Sequence, residues 1–244
     1  MSVNLPLDTL PLEARSPFEL RVNSGPLIPE SAVKAALATG DVGFLHSFTT
    51  GSSVDGPGVR VVAWTAGCQL RCLYCHNPDT WNMMNGTPVS LEHAIAELSK
   101  YRHGLTVMSG GFTLSGGEPL MQDRFAVRLI TAAKEMGIHT ALDTNGYLGD
   151  RLSDCELKMI DLVLLDLKAF DPEKHLKLTN KDNGPTLEFA RRLASNNRPI
   201  WVRYVLVPGL TDDPEDIRQI ADFAFGLGVV VRVDVLSFHQ MGRI

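Results

Sequence analysis

Three observations on the chain predict an α/β fold built on a parallel sheet. Short β-rich runs alternate with helical patterns from about residue 43 onward, six such runs fall between residues 59 and 238, and polar residues recur just after the ends of the runs. Strand–helix alternation is the pattern of parallel sheets covered by helices. A partial barrel of six β/α units and an open doubly wound sheet both fit that count. The polar strand ends favour the partial barrel, because parallel α/β barrels place their chemistry there.

Residues 1–41 stand apart from this pattern. Pro6, Pro11, Pro17, Pro26 and Pro29 recur without a sustained period, and only Glu30–Thr39 reads as helix. This stretch is expected to be a flexible N-terminal extension, with the core domain spanning 42–244. The first strand is expected at 59–65, where valines run into a cysteine loop. A helix over 90–101 follows, with Leu91, Ala94, Ile95 and Leu98 at helical spacing and Ser90 as N-cap. The strand at 111–115 ends in Gly116-Gly117, and an amphipathic helix over 125–136 stops at Gly137. Strands are then expected at 139–142, 162–167, 200–207 and 229–238, with helices at 153–159, 187–195 and 214–227 between them. The chain ends six residues after the last strand, so the core is expected to lack a segment covering that strand's outer face.

Composition narrows the class of function. The 244 residues are 44% hydrophobic and 21% charged, as in an ordinary globular protein, and the net charge of −5 gives no reason to expect nucleic-acid binding. No apolar stretch reaches bilayer length and the first thirty residues show no secretory signal, so a cytoplasmic protein is expected, without a membrane partner. Clustered cysteines with one apart do not resemble a disulfide framework, which also fits a reducing compartment. Cys155, the one apart, reads as a small half-buried helix residue.

Cys68, Cys72 and Cys75 form a C-x3-C-x2-C run within eight residues. Three close thiolates hold a metal or cluster while leaving it one ligand short, so one iron of an iron–sulfur cluster would stay open. A zinc site would want a fourth ligand. His76 directly follows Cys75, where a shared metal is rarely reached, and there is no second C-x2-C hairpin. Asp143 and Asp166 close two successive strands, Asp166 lying two residues before Lys168. Each carboxylate alone would be an ordinary strand-end residue. Together they face one mouth and suit a hard cation.

These residues carry a family resemblance. The cysteine loop with Tyr74 before its third cysteine resembles that of radical S-adenosylmethionine (SAM) enzymes. Further matches are His46-Ser47-Phe48, Val54-Asp55-Gly56-Pro57-Gly58-Val59-Arg60, Cys75-His76-Asn77-Pro78-Asp79-Thr80-Trp81, Leu114-Ser115-Gly116-Gly117-Glu118-Pro119, Asp143-Thr144-Asn145-Gly146, Leu165-Asp166-Leu167-Lys168 and Arg203-Tyr204-Val205-Leu206-Val207-Pro208-Gly209. Within that superfamily the chain resembles the activases of pyruvate formate-lyase over about residues 43–242. Between Cys75 and Ser115 it carries no cysteine, and so lacks the ferredoxin-like insert of several other glycyl radical activases.

The resemblance implies a partial (β/α)6 barrel of the radical SAM type and an oxidoreductase activity. A 4Fe–4S cluster on Cys68, Cys72 and Cys75 would cleave SAM reductively to methionine and a 5′-deoxyadenosyl radical, which takes hydrogen from a glycine of pyruvate formate-lyase. It further implies SAM contacts from Tyr74, Cys75, His76, Gly117, Asp166, Leu167, Lys168 and His239. A monovalent cation would sit on Asp143, Thr144 and Asp166, with the Leu164 carbonyl. Substrate-peptide contacts are implied for Asp55, His76 and Arg203. The implied partners are the glycine loop of the lyase and a flavodoxin or ferredoxin as electron donor, with the activase a monomer. The alternatives are an activase of another glycyl radical enzyme, a radical SAM enzyme acting on a small molecule such as a deazapurine, and a non-catalytic metal-binding protein.

Overall fold

Val61, Val62 and Ala63, Phe112 and Leu114, Ala141 and Leu142, and Val163, Leu164 and Leu165 are all buried. Runs of adjacent apolar residues hidden on both faces are the condition of strands inside a parallel sheet. A computed structural model describes residues 19–20, 25 and 30–238. Its elements in chain order are β1 (Glu19–Leu20), α1 (Glu30–Thr39), β2 (Val42–Ser52), β3 (Arg60–Thr65), β4 (Thr87–Ser90), α2 (Leu91–Ser99), α3 (Arg102–Val107), β5 (Gly111–Gly116) and α4 (Asp123–Glu135). They continue with β6 (His139–Thr144), α5 (Asp154–Leu157), β7 (Leu162–Asp166), α6 (Pro172–Thr179), α7 (Gly184–Ser195), β8 (Ile200–Leu206), α8 (Pro214–Gly226) and β9 (Val230–Ser237).

All the described strands belong to one sheet in the order β1-β2-β3-β5-β6-β7-β8-β9, with β4 also on β2. The six strands from β3 to β9 along that path are parallel, and each follows its predecessor without a reversal. A doubly wound sheet would reverse its order at a switch point. Sequential crossovers, which follow one hand, instead put the connecting helices on one face and favour a sheet that curls into a partial barrel. Among the described residues β9 pairs only with β8, so the sheet stays open. Val231, Val233 and Val235 of β9 are exposed. No helix among the described residues is long and apolar enough to cross a membrane.

The expected helices form where their signals lie. Ser90 Oγ accepts the His93 N–H at the start of α2, and Gly137 takes a left-handed φ of +76° after α4. Besides the two-residue β1, four elements escape the sequence patterns. β2 is antiparallel to β3 and carries polar residues and two glycines through its length. β4 and α3 are only four and six residues long. α6 is a two-turn helix opened by the Asp171 cap and Pro172, and it buries only His175, Leu178 and Thr179. Too short to show a period, α6 nonetheless becomes important at the site. Cys155 is exposed rather than half-buried, because α5 is a single turn that buries only Leu157.

Most of residues 1–41 lie outside the described residues. Of the rest, β1 adds antiparallel to β2, and α1 docks near α4, where Arg128 donates to the Thr39 carbonyl at 3.0 Å and pairs with Asp41.

The β2–β3 connection folds inward. Arg60 is fully buried, donating from Nε to Thr113 Oγ1 at 2.9 Å and from Nη2 to the Phe112 carbonyl at 2.5 Å. Thr113 in turn donates to the Asp55 carbonyl at 2.6 Å. Gly58 adopts φ +71°, and a Cβ there would lie 2.3 Å from the Ser109 carbonyl oxygen. The Asp-Gly-Pro-Gly turn is thus shaped to pack against the strand beside it.

Candidate functional site

The C-terminal ends of β3, β5, β6, β7 and β8 converge on one cleft. Its walls include Cys68, Cys72, Cys75 and His76 from the loop after β3, Gly116 and Gly117 at the end of β5, and Asp143 and Asn145 at the end of β6. Asp166 and Lys168 at the end of β7, and Arg203 of β8, complete it. The parallel register brings these positions to one level, with Trp64 beside Ser115, Asp143 beside Leu164 and Asp166 beside Arg203. This is the face on which parallel barrels carry their chemistry.

The cysteine loop has no regular structure of its own and is held from both sides. Gly67 and Cys68 donate backbone N–H groups to the Thr80 and Trp81 carbonyls at 2.7 and 3.2 Å. On the other side, Arg71 and Leu73 donate to the Thr179 and Leu178 carbonyls at the end of α6, both at 2.9 Å. The Arg71 guanidinium lies 5.1 Å from the Trp81 ring centre and also donates to the Cys68 and Leu70 carbonyls. His46 reaches from β2 to Asp79 at 2.7 Å and fixes the turn after the loop. The thiols are therefore presented by a braced loop rather than by a helix or strand.

Burial pushes all three thiols up, Cys68 to about 12. Left to themselves they are neutral, so thiolates form here when a metal supplies the compensating charge. Lys168 pulls against burial at each of the three. Its ammonium pairs with Asp166 at 2.6 Å and stands 6.0 Å from the Tyr74 ring centre. Among the described residues no three His, Cys, Asp or Glu side chains converge on a point that a single ion could fill. The three buried thiols on one loop, with Lys168 beside them, fit a group that brings its own positive charge.

The remaining donors and acceptors fit a polar cofactor. Tyr74 Oη and Arg203 Nε, both in cleft-lining residues, are buried without a partner among the described residues. The Gly117 N–H is used by the Thr65 carbonyl, while no described group donates to the Gly117 carbonyl. An amino group needs such an acceptor. His76 stacks with Phe238 at a ring separation of 6.2 Å, which brings the segment after β9 to the cleft.

Other predicted residues fall differently. Leu167 packs into the core and donates its N–H to the Arg203 carbonyl, away from the cleft lining. Thr144 turns its hydroxyl to Glu118 at 2.8 and 2.9 Å, because adjacent strand residues face opposite ways, so only Asp143 and Asp166 of the predicted cation set line the cleft. Asp143 accepts from Arg203 Nη1 and Ser115 Oγ, both at 2.7 Å. Burial pushes Asp143 up to about 6 against the pull of Arg203. Asp55 is buried too, 3.6 Å from the same Nη1 and accepting from Ser52 Oγ at 2.5 Å. Asp55, Asp143 and Arg203 therefore form one internal network. His239 lies outside the described residues.

Glu118, Asn145 and Gln69 lie inside the quoted motifs but show their roles only in three dimensions. Glu118, fully buried, accepts from the Leu120 N–H at 3.0 Å, the Asn145 N–H at 2.9 Å and the Thr144 hydroxyl. Burial lifts its carboxyl from the ordinary 4.5 to about 7. The folded chain thus holds this proton more tightly than the unfolded chain. Its stabilising contribution is complete below pH 4.5 and is lost as pH rises to about 7, on the order of 3 kcal/mol. Glu118→Gln should abolish that slope in urea titrations at pH 5 and 7.5. It should also cost about 1–3 kcal/mol at either pH, because its amide turns a donor toward donors.

Comparison with known proteins identifies the family. The radical SAM superfamily model matches residues 62–224. A pyruvate formate-lyase-activating enzyme of Listeria monocytogenes is 44% identical over 207 residues, covering 82% of this chain and 84% of the relative. The pyruvate formate-lyase 1-activating enzyme of Escherichia coli K12 is 42% identical over 204 residues, covering 83% of each. Among solved structures, Streptococcus suis SuiB bound to precursor peptide SuiA superposes with a TM-score of 0.60 at 17% identity, over 73% of this chain and 39% of that one. A radical SAM methyltransferase from Sphaerobacter thermophilus gives 0.55 at 18% identity, over 86% and 71%. At such identity these structures speak for the fold alone. With its thiols, glycine turn and strand-end charges on one face of an open parallel barrel, the chain belongs to the radical SAM superfamily and, within it, to the pyruvate formate-lyase-activating enzymes.

Proposed function

We infer that this chain activates pyruvate formate-lyase by generating a glycyl radical on it, using a 4Fe–4S cluster and SAM. The observation that carries the reading is the cleft itself, lined by three thiols together with Lys168, Gly117 with its unengaged carbonyl, and the buried, unpartnered Tyr74 Oη and Arg203 Nε. Identities of 42–44% over four-fifths of the chain connect it to this branch of the family. When bound, the cluster and SAM together supply one-electron cleavage of the sulfonium bond and the hydrogen-abstracting 5′-deoxyadenosyl radical.

The protein's own residues bind, orient and exclude water. Cys68, Cys72 and Cys75 hold the cluster, and the Gly117 carbonyl accepts from the amino group of SAM. Lys168 offsets the negative charge gathered by the sulfurs and the SAM carboxylate, while Asp166 fixes that ammonium. Tyr74 and His76 line the same cofactor, and His239 extends the contact. Asp143 and Asp166 hold a monovalent cation near the SAM carboxylate. The network of Asp55, Asp143 and Arg203 shapes the floor on which the glycine loop rests, with His76 at its edge. A flavodoxin or ferredoxin delivers the electron, and the protein works as a cytoplasmic monomer.

The test is direct. Anaerobically reconstituted protein, SAM, a strong reductant and pyruvate formate-lyase are expected to yield the glycyl radical doublet by electron paramagnetic resonance, with 5′-deoxyadenosine. SAM cleavage without that doublet would move the activity to another target. Stoichiometric zinc without iron or sulfide would end the enzymatic reading.

A further inference from the structure

Asn145 stands between the glycine turn and the cysteine loop, and its amide orientation is fixed without appeal to the sulfur. Its Oδ1 accepts the backbone N–H of Tyr147 at 3.1 Å, a donor that cannot be reversed. The same oxygen accepts Gln69 Nε2 at 2.9 Å. The amide nitrogen must therefore point the other way, and it lies 3.9 Å from Cys68 Sγ. The backbone is clamped as well. Its N–H donates to Glu118 at 2.9 Å, and its carbonyl accepts from Thr186 Oγ1 at 2.8 Å. Asn145 is only 6% exposed, so water competes little for that donor.

A donor held on a ligating sulfur acts on the charge of the cluster. Reduction adds negative charge that spreads onto the thiolates, and a hydrogen bond to sulfur stabilises the more negative state. We propose that Asn145 is a positioning residue that raises the reduction potential of the cluster by donating Nδ2–H to Cys68, with Gln69 and the Tyr147 N–H setting the direction of the amide. The proposal rests on the cluster reading above and adds to it the residue that sets how easily the electron is accepted. Lys168 acts on all three sulfurs through space, whereas Asn145 acts on one sulfur through a bond.

The test is the midpoint potential of reconstituted protein without SAM, followed by electron paramagnetic resonance, with iron and sulfide counted per chain. Asn145→Leu removes the donor at similar volume, and Asn145→Asp removes it while adding an acceptor and charge. Both variants are expected to keep the cluster. The reduction equilibrium should become three- to tenfold less favourable in Asn145→Leu, about 30–60 mV at 59 mV per tenfold for one electron, and to fall further in Asn145→Asp. Unchanged potentials at full cluster content would overturn the proposal and leave the cluster reading intact. Loss of the cluster from both variants would make Asn145 a folding residue only and would also overturn it. A wild-type chain that takes up no cluster would overturn both readings.

Discussion

Cys72→Ala is expected to reduce SAM cleavage to background and to strip the cluster from the reconstituted protein. Two thiolates on a braced loop leave two irons without protein ligands, and no fourth cysteine lines the cleft among the described residues. Among the described residues, the remaining cysteine, Cys155, is exposed on a separate helix. Losing a supporting residue typically costs about 10–100-fold in metal affinity, and losing a ligand from a three-ligand site should exceed that. Iron and sulfide analysis with 5′-deoxyadenosine assays would measure the effect together. The fold itself should persist, because Leu73 and Arg71 hold the loop through backbone groups that the substitution does not touch. A Cys72→Ala protein that keeps a full cluster would show that these cysteines are not its ligands.

Gly116→Ala is expected to be severely destabilising. Gly116 has φ +130°, and a Cβ there would lie 2.2 Å from both the backbone nitrogen and the carbonyl oxygen of Thr65. Those atoms belong to the neighbouring strand of the sheet and cannot rotate away as a side chain could. Overpacking and a disallowed backbone conformation each cost roughly 1–3 kcal/mol. Their sum, about 2–6 kcal/mol, is a large part of the stability of an ordinary domain. Gly137→Ala provides the control, since its φ of +76° is equally left-handed but nothing lies within 4 Å of the added atom. Urea midpoints of the two variants separate steric clash from backbone strain. Equal shifts would show that the approach of β5 to β3 is looser than these distances.

Much of this architecture is legible in the chain because parallel strands bury both faces. Uninterrupted runs such as Leu162 to Leu165 announce themselves without any partner, and Ser90 and Gly137 mark helix ends by local chemistry. β2 escapes because its antiparallel, partly exposed course admits His46, Ser47, Thr49 and Thr50 among its apolar residues. α6 escapes because two turns are too short for a period. At the site, Cys68, Cys72, Cys75, Gly117, Asp166 and Lys168 are legible from spacing and resemblance, and the cleft collects them. Leu167 and the Thr144 hydroxyl face away from the cleft lining, since a motif names neighbours in sequence while a strand sends them to opposite sides. Glu118 and Asn145 are invisible as actors because the partners that join them to each other's strands and to Cys68 lie 26 to 77 positions away.

The carbonyls of Leu178 and Thr179 that receive the Leu73 and Arg71 amides carry one more implication. The cysteine loop has no regular structure of its own, and its buried Tyr74 packs with Leu178, so part of its ordering comes from the last turn of α6. Loop and helix then open and close as a single cooperative unit, one that exchanges its amide protons together rather than residue by residue. Occupancy of the thiols by a cluster would therefore be felt as slowed exchange in a helix that contributes no ligand.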